Sequence, residues 1–458
     1  MNVTITPTLL RGTITPPPSK SQAHRLIIAA ALSDGVCRLS NVELSQDIQA
    51  TLRCMRTLNA DASSDGTVIR GCNLVDGFEV PPPEVMDCGE SGSTLRFLIP
   101  VALALQGGGK FTGHGRLMER PQGPYFDLFR EKGIAWSLED GVLTVSGRLT
   151  PGVYALPGDV SSQFFSGLLF ALPLLEGDSL LVSTTQLESV GYVNMTRQAM
   201  ERFGVKTKWT KEGIFIPGNQ MYHPADCTVE ADWSNAAFWY AAQGTGSDVT
   251  VTGMDERSIQ GDRVILEWGQ MLRDEPLSGG IGVPVLGRAG AGPVQPPPPD
   301  LPRRYAVSIS VSHAPDLVPP LAAWGALSPG CDLKLKNAAR LRMKESDRLS
   351  TVTEVLSALG ADIEEQADAL GANFGAGMKM GSTCGVLTSA LMLLGLKGYS
   401  TKEAGDLLRR FREGRQATEC AALLTRAKEA GVTRKEHCDG LVLEMAKILD
   451  EEFFASKP

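Results

Sequence analysis

Five similar helix starts recur along the 458-residue chain, each with small polar residues or a proline ahead of an apolar stretch. They lie at residues 21–26, 91–96, 161–164, 234–238 and 315–318, so successive starts are 70, 70, 73 and 81 residues apart. A period this long exceeds that of a solenoid and accommodates several strands and two helices. The spacing therefore predicts a repeated α/β unit.

The helix starts also predict where ligands bind. If the repeated helices begin at a common surface, each offers free backbone N–H groups and a positive dipole end to an anion. For any single helix, the simpler explanation is that serine is a good N-cap residue. Five such starts with cations nearby favour an anion-binding surface.

Strand-like segments separate these helices. Residues 142–146 and 248–252 alternate between apolar and polar side chains, which is typical of half-buried strands. Residues 279–304 break the pattern with a glycine-rich run and four consecutive prolines, which neither pair in a central strand nor pack a core. We expect that segment to be an exposed or disordered loop.

The composition is that of an ordinary globular protein, with 43% hydrophobic and 21% charged residues. A net charge of −8 argues against a general binder of nucleic acid or acidic membranes. The sequence shows no signal-peptide pattern and no long apolar run, so we expect a cytoplasmic protein that binds small molecules. Nine scattered cysteines fit reduced thiols, and the absence of Cys-x-x-Cys and His-Glu-x-x-His motifs gives a metal site no support.

The segment from Arg342 to Arg348 is a dense charge cluster, with three cations and two carboxylates just ahead of a helical pattern. Such a cluster suits an anionic substrate and proton transfer. A solvated helix face would equally account for a bare charge run. Near the N-terminus, Lys20 in a turn and Arg25 one helical turn after Ser21 can converge on one oxyanion.

Taken together and in this order, these motifs resemble the 5-enolpyruvylshikimate-3-phosphate synthases, a family of enolpyruvyl transferases. The similarity runs from about the N-terminus to residue 365. The motifs that carry it are Pro-Ser-Lys-Ser-Gln-Ala-His-Arg at 18–25, Gly-Glu-Ser-Gly-Ser-Thr-Leu-Arg at 89–96, Glu-Arg-Pro at 119–121, Ser-Ser-Gln at 161–163, Pro-Asp at 315–316 and Lys-Glu-Ser-Asp-Arg at 344–348.

The resemblance implies two neighbouring substrate sites. Positions that bind shikimate 3-phosphate in the family match Lys20, Ser21, Arg25, Ser161, Ser162, Gln163, Ser189, Tyr192, Asp316 and Lys344. Positions that bind phosphoenolpyruvate match Lys20, Gly92, Arg120 and Arg348. These residue types suit anions, because arginine binds carboxylate and phosphate through paired hydrogen bonds while lysine supplies a point charge.

The implied reaction transfers an enolpyruvyl group from phosphoenolpyruvate to the 5-hydroxyl of shikimate 3-phosphate. In this scheme Asp316 accepts the hydroxyl proton and later returns it, while Glu345 protonates the methylene carbon, with Lys20 nearby. The resemblance implies no cofactor and no metal, because phosphoenolpyruvate is already activated. Arg96 lies on an apolar helix, where we expect a structural or phosphate-side role.

The C-terminal part of the chain departs from the family pattern. Beyond residue 365 we find no match to the family's Asp-His-Arg tripeptide or to its late lysine, both of which bind phosphoenolpyruvate. Residues 368–450, with Cys384, Cys420 and Cys438, instead resemble the C-GCAxxG-C-C family, which implies thiols that sense redox state or bind a metal. Alternatively, residues 382–396 form a helix of a sixth repeat, or the cysteines are small buried hydrophobes.

We therefore expect an α/β (α+β) protein with the two-lobed enolpyruvyl transferase fold of repeated βαβαββ units. Residues 20–229 would form one lobe, residues 1–19 and 230–365 a second lobe with an incomplete last repeat, and residues 366–458 a mainly helical segment. The expected activity is that of a monomeric 3-phosphoshikimate 1-carboxyvinyltransferase. The alternatives are a catalytically impaired homologue with a redox or metal-binding cysteine module, and a UDP-N-acetylglucosamine enolpyruvyl transferase, which the Ser-Ser-Gln and Lys-Ser motifs disfavour.

Overall fold

The computed structural model describes residues 8–72, 85–273, 305–363, 384, 386–387, 390–391 and 401–449. The chain divides into two compact units, Met1–Ile363 and Glu364–Pro458. The predicted loop at 279–304 and most of the predicted sixth-repeat helix at 382–396 lie outside the described residues.

All five helices predicted from the repeated starts are present. They are α1 (Lys20–Ala31), α3 (Gly92–Gln106), α5 (Ser162–Ala171), α7 (Trp233–Gly244) and α9 (Val318–Leu327). The N-caps of α3 and α5 are Ser91 and Ser161, whose hydroxyl oxygens accept hydrogen bonds from backbone N–H groups of the first turn. These two helix starts are therefore confirmed residue by residue.

Two of the predicted starts are displaced. Helix α1 begins at Lys20 after an N-cap at Ser19, so the expectation that Lys20 lies in a turn was wrong. Helix α7 is capped by Asp232, whose carboxylate accepts from the Ser234 N–H, two residues before the predicted start. Asp232 therefore caps α7 through its side chain, whereas the Ser19 side chain makes no capping hydrogen bond.

The remaining helices of the first unit are α2 (Gln46–Arg56), α4 (Gly123–Lys132), α6 (Val190–Arg202), α8 (Ile265–Leu272) and α10 (Arg348–Ala358). Its strands are β1 (Arg11–Ile14), β2 (Val36–Ser40), β3 (Asp61–Ala62), β4 (Val68–Arg70), β5 (Met86–Asp87), β6 (Gly108–Thr112), β7 (Ala135–Glu139), β8 (Val142–Ser146), β9 (Gly152–Leu156), β10 (Ser179–Ser183), β11 (Lys208–Trp209), β12 (Ile214–Ile216), β13 (Cys227–Thr228), β14 (Asp248–Val251), β15 (Tyr305–Ser310) and β16 (Cys331–Lys336). The strands predicted at 142–146 and 248–252 are thus β8 and β14.

Three four-stranded sheets share one topology, with orders β5-β6-β8-β7, β9-β10-β12-β11 and β13-β2-β4-β3. In each, a parallel pair is joined to an antiparallel hairpin. The first two sheets follow the chain as βαβαββ, whereas in the third β13 comes from a part of the chain far beyond β2, β3 and β4. Two further parallel pairs, β1 with β14 and β15 with β16, form the sheets described in the rest of the first unit. The predicted α/β class with repeated units is confirmed.

Two hydrophobic cores lie within the first unit. One is built from residues between Ala23 and Val229, and the second from residues between Trp233 and Leu341. The chain passes between them in two adjacent segments, where the Ser19 N–H donates to Glu230 and the Asp232 N–H donates to Pro17. This division supports the predicted lobes, whose boundaries stay a prediction.

The described part of the second unit is mainly helical, as predicted, with α11 (Thr401–Arg415), α12 (Cys420–Glu429) and α13 (Arg434–Ile448). Its core contains Cys384 together with Leu387, Phe411 and Leu423. Cys420 is also buried, and Cys438 is half-buried. Among the residues that the structure describes, no helix is long and apolar enough to cross a membrane.

Candidate active site

A polar pocket with an empty volume of about 720 Å³, which includes open solvent, lies where elements of the two cores meet. Its walls carry four arginines, a lysine and one carboxylate. The lining residues are Ser21, Arg25, Ser93, Arg96, Arg120, Pro121, Val160, Ser161, Ser162, Gln163, Ser189, Tyr192, Pro315, Asp316, Arg340, Met343 and Lys344. This excess of positive charge makes the pocket a site for a multiply charged anion.

The N-terminus of α5 forms one wall. Ser161 is the N-cap, and its hydroxyl oxygen accepts from the Gln163 N–H at 3.3 Å. The start of α5 directs its positive dipole end towards the pocket, because its first residues line the cavity. Hydroxyls and backbone N–H groups at this place are suited to phosphate oxygens.

Arg25 is fixed before any ligand arrives. Its Nε donates to Thr196 at 2.8 Å, its Nη1 donates to the Ser21 carbonyl at 2.6 Å, and its guanidinium packs on the ring of Phe97. Burial lowers the pKa of Arg25 to about 10, so the group stays charged at neutral pH. A preordered cation loses little entropy on binding an anion.

Arg96 is held by protein groups in the pocket wall. Its Nη1 donates to the side-chain oxygen of Gln163 at 2.8 Å, and its Nη2 donates to the Pro121 carbonyl at 2.8 Å. The amide of Gln163 also donates to Ser93 at 3.0 Å. Arg96 therefore orients Gln163, which supports the structural role expected for it.

The Arg120 side chain has a buried nitrogen that lacks a hydrogen-bond partner among the described residues. Its Nε makes no hydrogen bond within the described part of the chain. Burial lowers the pKa of Arg120, while the nearby charge of Glu345 opposes that shift. Buried donors are rarely left unpaired in folded proteins, so this guanidinium is well placed to receive an anionic ligand.

Asp316 sits among hydroxyl and cationic donors. The Tyr192 hydroxyl donates to Oδ2 at 2.8 Å, Arg348 donates to Oδ1 at 2.7 Å, and the Lys344 Nζ lies 3.9 Å from Oδ1. Burial alone would raise the pKa of Asp316, but Lys344 and Arg348 hold it at about 2. The side chain is thus ionised and paired in the ligand-free protein.

Arg348 bridges both predicted catalytic carboxylates. Besides Asp316, it contacts Glu345 through Nε at 2.8 Å and through Nη2 at 2.7 Å. Burial would raise the pKa of Glu345, but a backbone hydrogen bond and the charge of Arg348 bring it below its ordinary value. The rest of the 342–348 cluster is tied locally, since Arg342 pairs with Asp347, the N-cap of α10.

Lys20 does not line the pocket in this structure. Its ammonium pairs with Asp47 at 2.7 Å, and its side chain is 54% exposed. Gly92, Glu345 and Arg348 are also outside the lining set, although Arg348 touches the lining residue Asp316. The structure brings the other predicted residues into the pocket: Ser21, Arg25, Arg120, Ser161, Ser162, Gln163, Ser189, Tyr192, Asp316 and Lys344.

The sequence reasoning missed several charged residues around the site. Arg340 lines the pocket from a 3-10 helix at Ala339–Met343, and Asp47 holds Lys20. Asp262 is buried and accepts from the Ser234 hydroxyl, and burial together with the charge of Asp316 raises its pKa to about 7. Arg340 could have been predicted from its position four residues before Lys344. No sequence motif pointed to Asp262.

Repeated βαβαββ sheets around a cation-lined pocket define an α/β protein built to bind small anions. The model of the family "EPSP synthase (3-phosphoshikimate 1-carboxyvinyltransferase)" matches residues 5–386. A second model, "Putative redox-active protein (C_GCAxxG_C_C)", matches residues 350–452. The chain therefore belongs to the EPSP synthase family and carries a C-terminal segment that matches the second family.

Relatives agree with this assignment. A 3-phosphoshikimate 1-carboxyvinyltransferase of Clostridium kluyveri is 42% identical over 373 residues, covering 80% of this chain and 83% of the relative. One of Clostridium perfringens (strain SM101 / Type A) is 37% identical over 446 residues, covering 95% of this chain and 94% of the relative. The solved EPSP synthase from Acinetobacter baumannii shares the fold, with a TM-score of 0.58 at 21% identity over 79% of this chain and 81% of that one.

Proposed function

We propose that this protein transfers the enolpyruvyl group of phosphoenolpyruvate to the 5-hydroxyl of shikimate 3-phosphate and releases phosphate. This is 3-phosphoshikimate 1-carboxyvinyltransferase activity, a step of the shikimate pathway. The observation that carries the proposal is the pocket in which four arginines and a lysine surround one ionised carboxylate. Two anionic substrates require this charge, and membership of the EPSP synthase family supplies their identity.

The two substrates would occupy different parts of the pocket. Shikimate 3-phosphate lies against the start of α5 and against Arg25, where hydroxyls and a fixed cation meet. Phosphoenolpyruvate lies near Arg120 and Arg348, which are coupled electrostatically through Glu345. Lys20 would leave Asp47 to join both substrates, since its exposed side chain costs little to reorient.

The chemistry proceeds by addition and elimination. Asp316 removes the proton of the 5-hydroxyl, the oxygen bonds to the enol carbon, and Glu345 delivers a proton to the methylene carbon. In the second step Glu345 takes a proton back from the new methyl group, the bond from carbon to the phosphate oxygen breaks as Asp316 returns its proton to the departing phosphate, and the vinyl ether forms. Both carboxyl groups are thereby restored to their starting states, so the scheme requires no cofactor and no metal.

Binding of phosphoenolpyruvate would itself raise the pKa values of Asp316 and Glu345 and so prepare both carboxyl groups for proton transfer. An anion bound by Arg348 competes with Asp316 and Glu345 for the same guanidinium. When that contact weakens, burial raises the pKa of each carboxyl group, because burial is the largest influence on both. Asp316 then becomes a stronger base, and Glu345 can take up the proton that it donates.

Substitution of Gly92 tests the phosphoenolpyruvate site. A Cβ at this position would lie 2.7 Å from the Arg120 Nη1, so Gly92→Ala displaces the guanidinium. We expect the KM for phosphoenolpyruvate to rise about tenfold, the effect of one weakened charge-assisted contact, with little change for shikimate 3-phosphate. The matched control is Gly123→Ala, where a Cβ meets nothing within 4 Å. Equal KM values for Gly92→Ala and the control would contradict this placement.

A steady-state assay of phosphate release tests the activity itself. We expect release only when shikimate 3-phosphate and phosphoenolpyruvate are both present. Because the family's later arginine and lysine are not matched in this sequence, we expect a high KM for phosphoenolpyruvate, as each lost contact costs about 1.5–3 kcal/mol. Replacing shikimate 3-phosphate by UDP-N-acetylglucosamine should give no release. Phosphate release with UDP-N-acetylglucosamine and phosphoenolpyruvate, but not with shikimate 3-phosphate and phosphoenolpyruvate, would favour the UDP-N-acetylglucosamine enolpyruvyl transferase.

The C-terminal unit is the basis of a second proposal, that it acts as a thiol module. Its family match favours this, and the Cys384 N–H donates to Thr418 at 2.7 Å, two residues before Cys420. In the full chain, we expect mild peroxide to protect two thiols from alkylation, and Cys384→Ser with Cys420→Ser to remove that protection. Cys72→Ser in the first unit is the control. Unchanged alkylation after oxidation would leave these cysteines as buried apolar residues.

We also propose that the enzyme works in the cytoplasm as a monomer. The nine cysteines are scattered along the chain without a short-loop framework, which fits a reducing compartment. Residues from both cores of one copy line the pocket, so a monomer is the simplest assembly for the proposed site. Light scattering of the purified protein under assay conditions would measure its mass directly.

A further inference from the structure

A series of buried side chains connects α1, α2 and the start of α3, close to the proposed phosphoenolpyruvate site. The His24 Nδ1 lies 2.7 Å from the Thr51 Oγ1. The Thr51 Oγ1 lies 2.7 Å from the Thr94 Oγ1, whose hydroxyl donates to the Ser91 Oγ at 2.8 Å. All four residues are at most 1% exposed. We call these four residues the His24 relay.

The direction of each hydrogen bond follows from the number of protons available. Each threonine hydroxyl has one proton. Thr94 donates its proton to Ser91, so Thr51 is the donor in the contact between the two threonines. Thr51 then has no proton for His24, so Nδ1 of the imidazole donates to the Thr51 oxygen. Every bond of the relay therefore points from His24 towards Ser91.

The described contacts of the relay use one nitrogen of the His24 ring. Burial lowers the pKa of His24 to about 3, so at neutral pH the ring is neutral and carries a single proton. The order of donors in the relay places that proton on Nδ1. The other ring nitrogen, Nε2, has no hydrogen-bond partner in the described part of the chain. His24 therefore contributes one hydrogen-bond donor, which is directed at Thr51.

The relay ends at the cap of α3. Ser91 is the N-cap, and its Oγ also accepts from the Thr94 N–H at 3.2 Å. The next residue, Gly92, is so close to Arg120 that a Cβ would lie 2.7 Å from Nη1. Buried hydrogen bonds in series strengthen one another, because the surrounding dielectric constant is low. The relay therefore holds the turn that sets the Gly92 backbone against the Arg120 guanidinium.

The relay also contacts the residue that pairs with Lys20. The Asp47 carbonyl oxygen lies 3.3 Å from the Thr51 Oγ1 and 3.5 Å from the Thr94 Oγ1. A carbonyl can only accept, so these longer contacts leave the order of donors unchanged. The Asp47 carboxylate accepts from Lys20 at 2.7 Å. The starts of α1 and α3, which both contribute to the proposed phosphoenolpyruvate site, are thus connected to the same relay.

We propose that His24 is a positioning residue for phosphoenolpyruvate binding, because its Nδ1–H is the first donor of a relay that holds Ser91, and with it Gly92, against Arg120. The inference rests on the proposed function. His24 is not among the residues that line the pocket, so it acts through the two threonines. When the donor is lost, the Thr51 oxygen lacks its partner and the hydroxyl can turn away from the relay, which loosens the start of α3.

Steady-state kinetics of variants of the full chain test the inference. His24→Leu removes the donor, and we expect it to raise the KM for phosphoenolpyruvate about three- to tenfold, the effect of one lost buried hydrogen bond. The KM for shikimate 3-phosphate and kcat should stay within about twofold of wild type, because the relay ends at the phosphoenolpyruvate side of the pocket. His24→Asn should restore the KM for phosphoenolpyruvate, because the amide nitrogen lies where the imidazole Nδ1 does and can donate to Thr51.

Thr51→Val interrupts the relay at its second residue with little change of shape. It should raise the KM for phosphoenolpyruvate as much as His24→Leu does, and the double variant should show no further increase, because both changes break one relay. The matched control is Thr57→Val, in which a buried threonine at the end of α2 loses its hydrogen bond to the Cys54 carbonyl. This control should lower the melting temperature without altering either KM.

The position of the His24 proton gives a signature that does not depend on turnover. Nitrogen-15 NMR of protein with labelled histidines should show a ring protonated at Nδ1 near neutral pH. That signal should be absent from His24→Asn, which assigns it to His24. A neutral ring protonated at Nε2 would reverse the first bond of the relay and overturn the inference.

The kinetic results can also overturn the inference. They would do so if His24→Leu and Thr51→Val kept the KM for phosphoenolpyruvate within about twofold of wild type. An equal rise in His24→Asn, or in the Thr57→Val control, would show that the donor is not the cause. In each case turnover by the wild type would leave the proposed function intact, whereas its absence would overturn both. If His24→Leu does not fold, Thr51→Val and His24→Asn decide between the same outcomes.

Discussion

Asp316→Asn is expected to lower kcat by about 10²- to 10⁴-fold, the usual contribution of a general base. The amide cannot accept the 5-hydroxyl proton, although it can still accept the hydrogen bond from Tyr192. We expect KM values to stay within about threefold or to fall, because removing a negative charge weakens no contact with anionic substrates. Steady-state kinetics with both substrates varied would measure each parameter.

The matched control for this change is Asp127→Asn, at an exposed position where the carboxylate pairs with Arg130 three residues along its helix. It should leave kcat unaltered, since exposed ion pairs of this kind contribute little. If Asp316→Asn retained kcat within threefold of wild type, Asp316 would not be the base. Another carboxylate near the site, for instance Asp262, would then remove the proton.

Glu345→Gln is expected to have the second large effect. It should lower kcat by about 10²- to 10⁴-fold, because the general acid is lost. It also carries a separate signature. Because Arg348 lowers the pKa of Glu345 and bound phosphoenolpyruvate competes for Arg348, ligand binding should be accompanied by proton uptake. Calorimetry in buffers of different ionisation enthalpy would measure the number of protons taken up when phosphoenolpyruvate binds the wild type. That number should fall in Glu345→Gln.

Glu119→Gln offers the comparison for this variant, since Glu119 is exposed and pairs with Arg116 within a single turn. Both its kcat and its proton uptake should equal those of the wild type. Proton uptake that persists in Glu345→Gln would assign the titrating group to another carboxyl, with Asp316 the nearest partner of Arg348. Loss of activity without loss of proton uptake would therefore contradict Glu345 as the group that takes up the proton.

Local sequence signals predicted the repeated architecture well. Helices α3 and α5 begin where Ser91 and Ser161 predicted, because one serine hydroxyl caps each first turn. The start of α7 was displaced because Asp232 caps it in place of Ser234, whereas α1 begins at Lys20 without a side-chain cap. The order of strands in each sheet depends on pairing between segments far apart in the chain. The repeat in the sequence suggested that order, and the structure was needed to show it.

The sequence predicted which residues belong to the candidate site better than it predicted how those residues contact one another. Ten of the predicted residues line one pocket, since the motifs name residue types that bind anions. The bridging of Asp316 and Glu345 by Arg348 involves Asp316, 32 residues away from Arg348, so charge spacing could not predict it. Lys20 failed to line the pocket because Asp47, which no motif contained, competes for its charge.

The most direct test of enolpyruvyl transfer is NMR of the reaction in deuterated water with shikimate 3-phosphate and phosphoenolpyruvate. Addition and elimination through a protonated methylene carbon predicts a new vinyl ether signal, released phosphate and deuterium in the vinyl methylene of the product. Arg130→Met should give the same spectrum, and Glu345→Gln should give none within the same time. Phosphate release without a vinyl ether product, or no reaction by the wild type, would contradict the account.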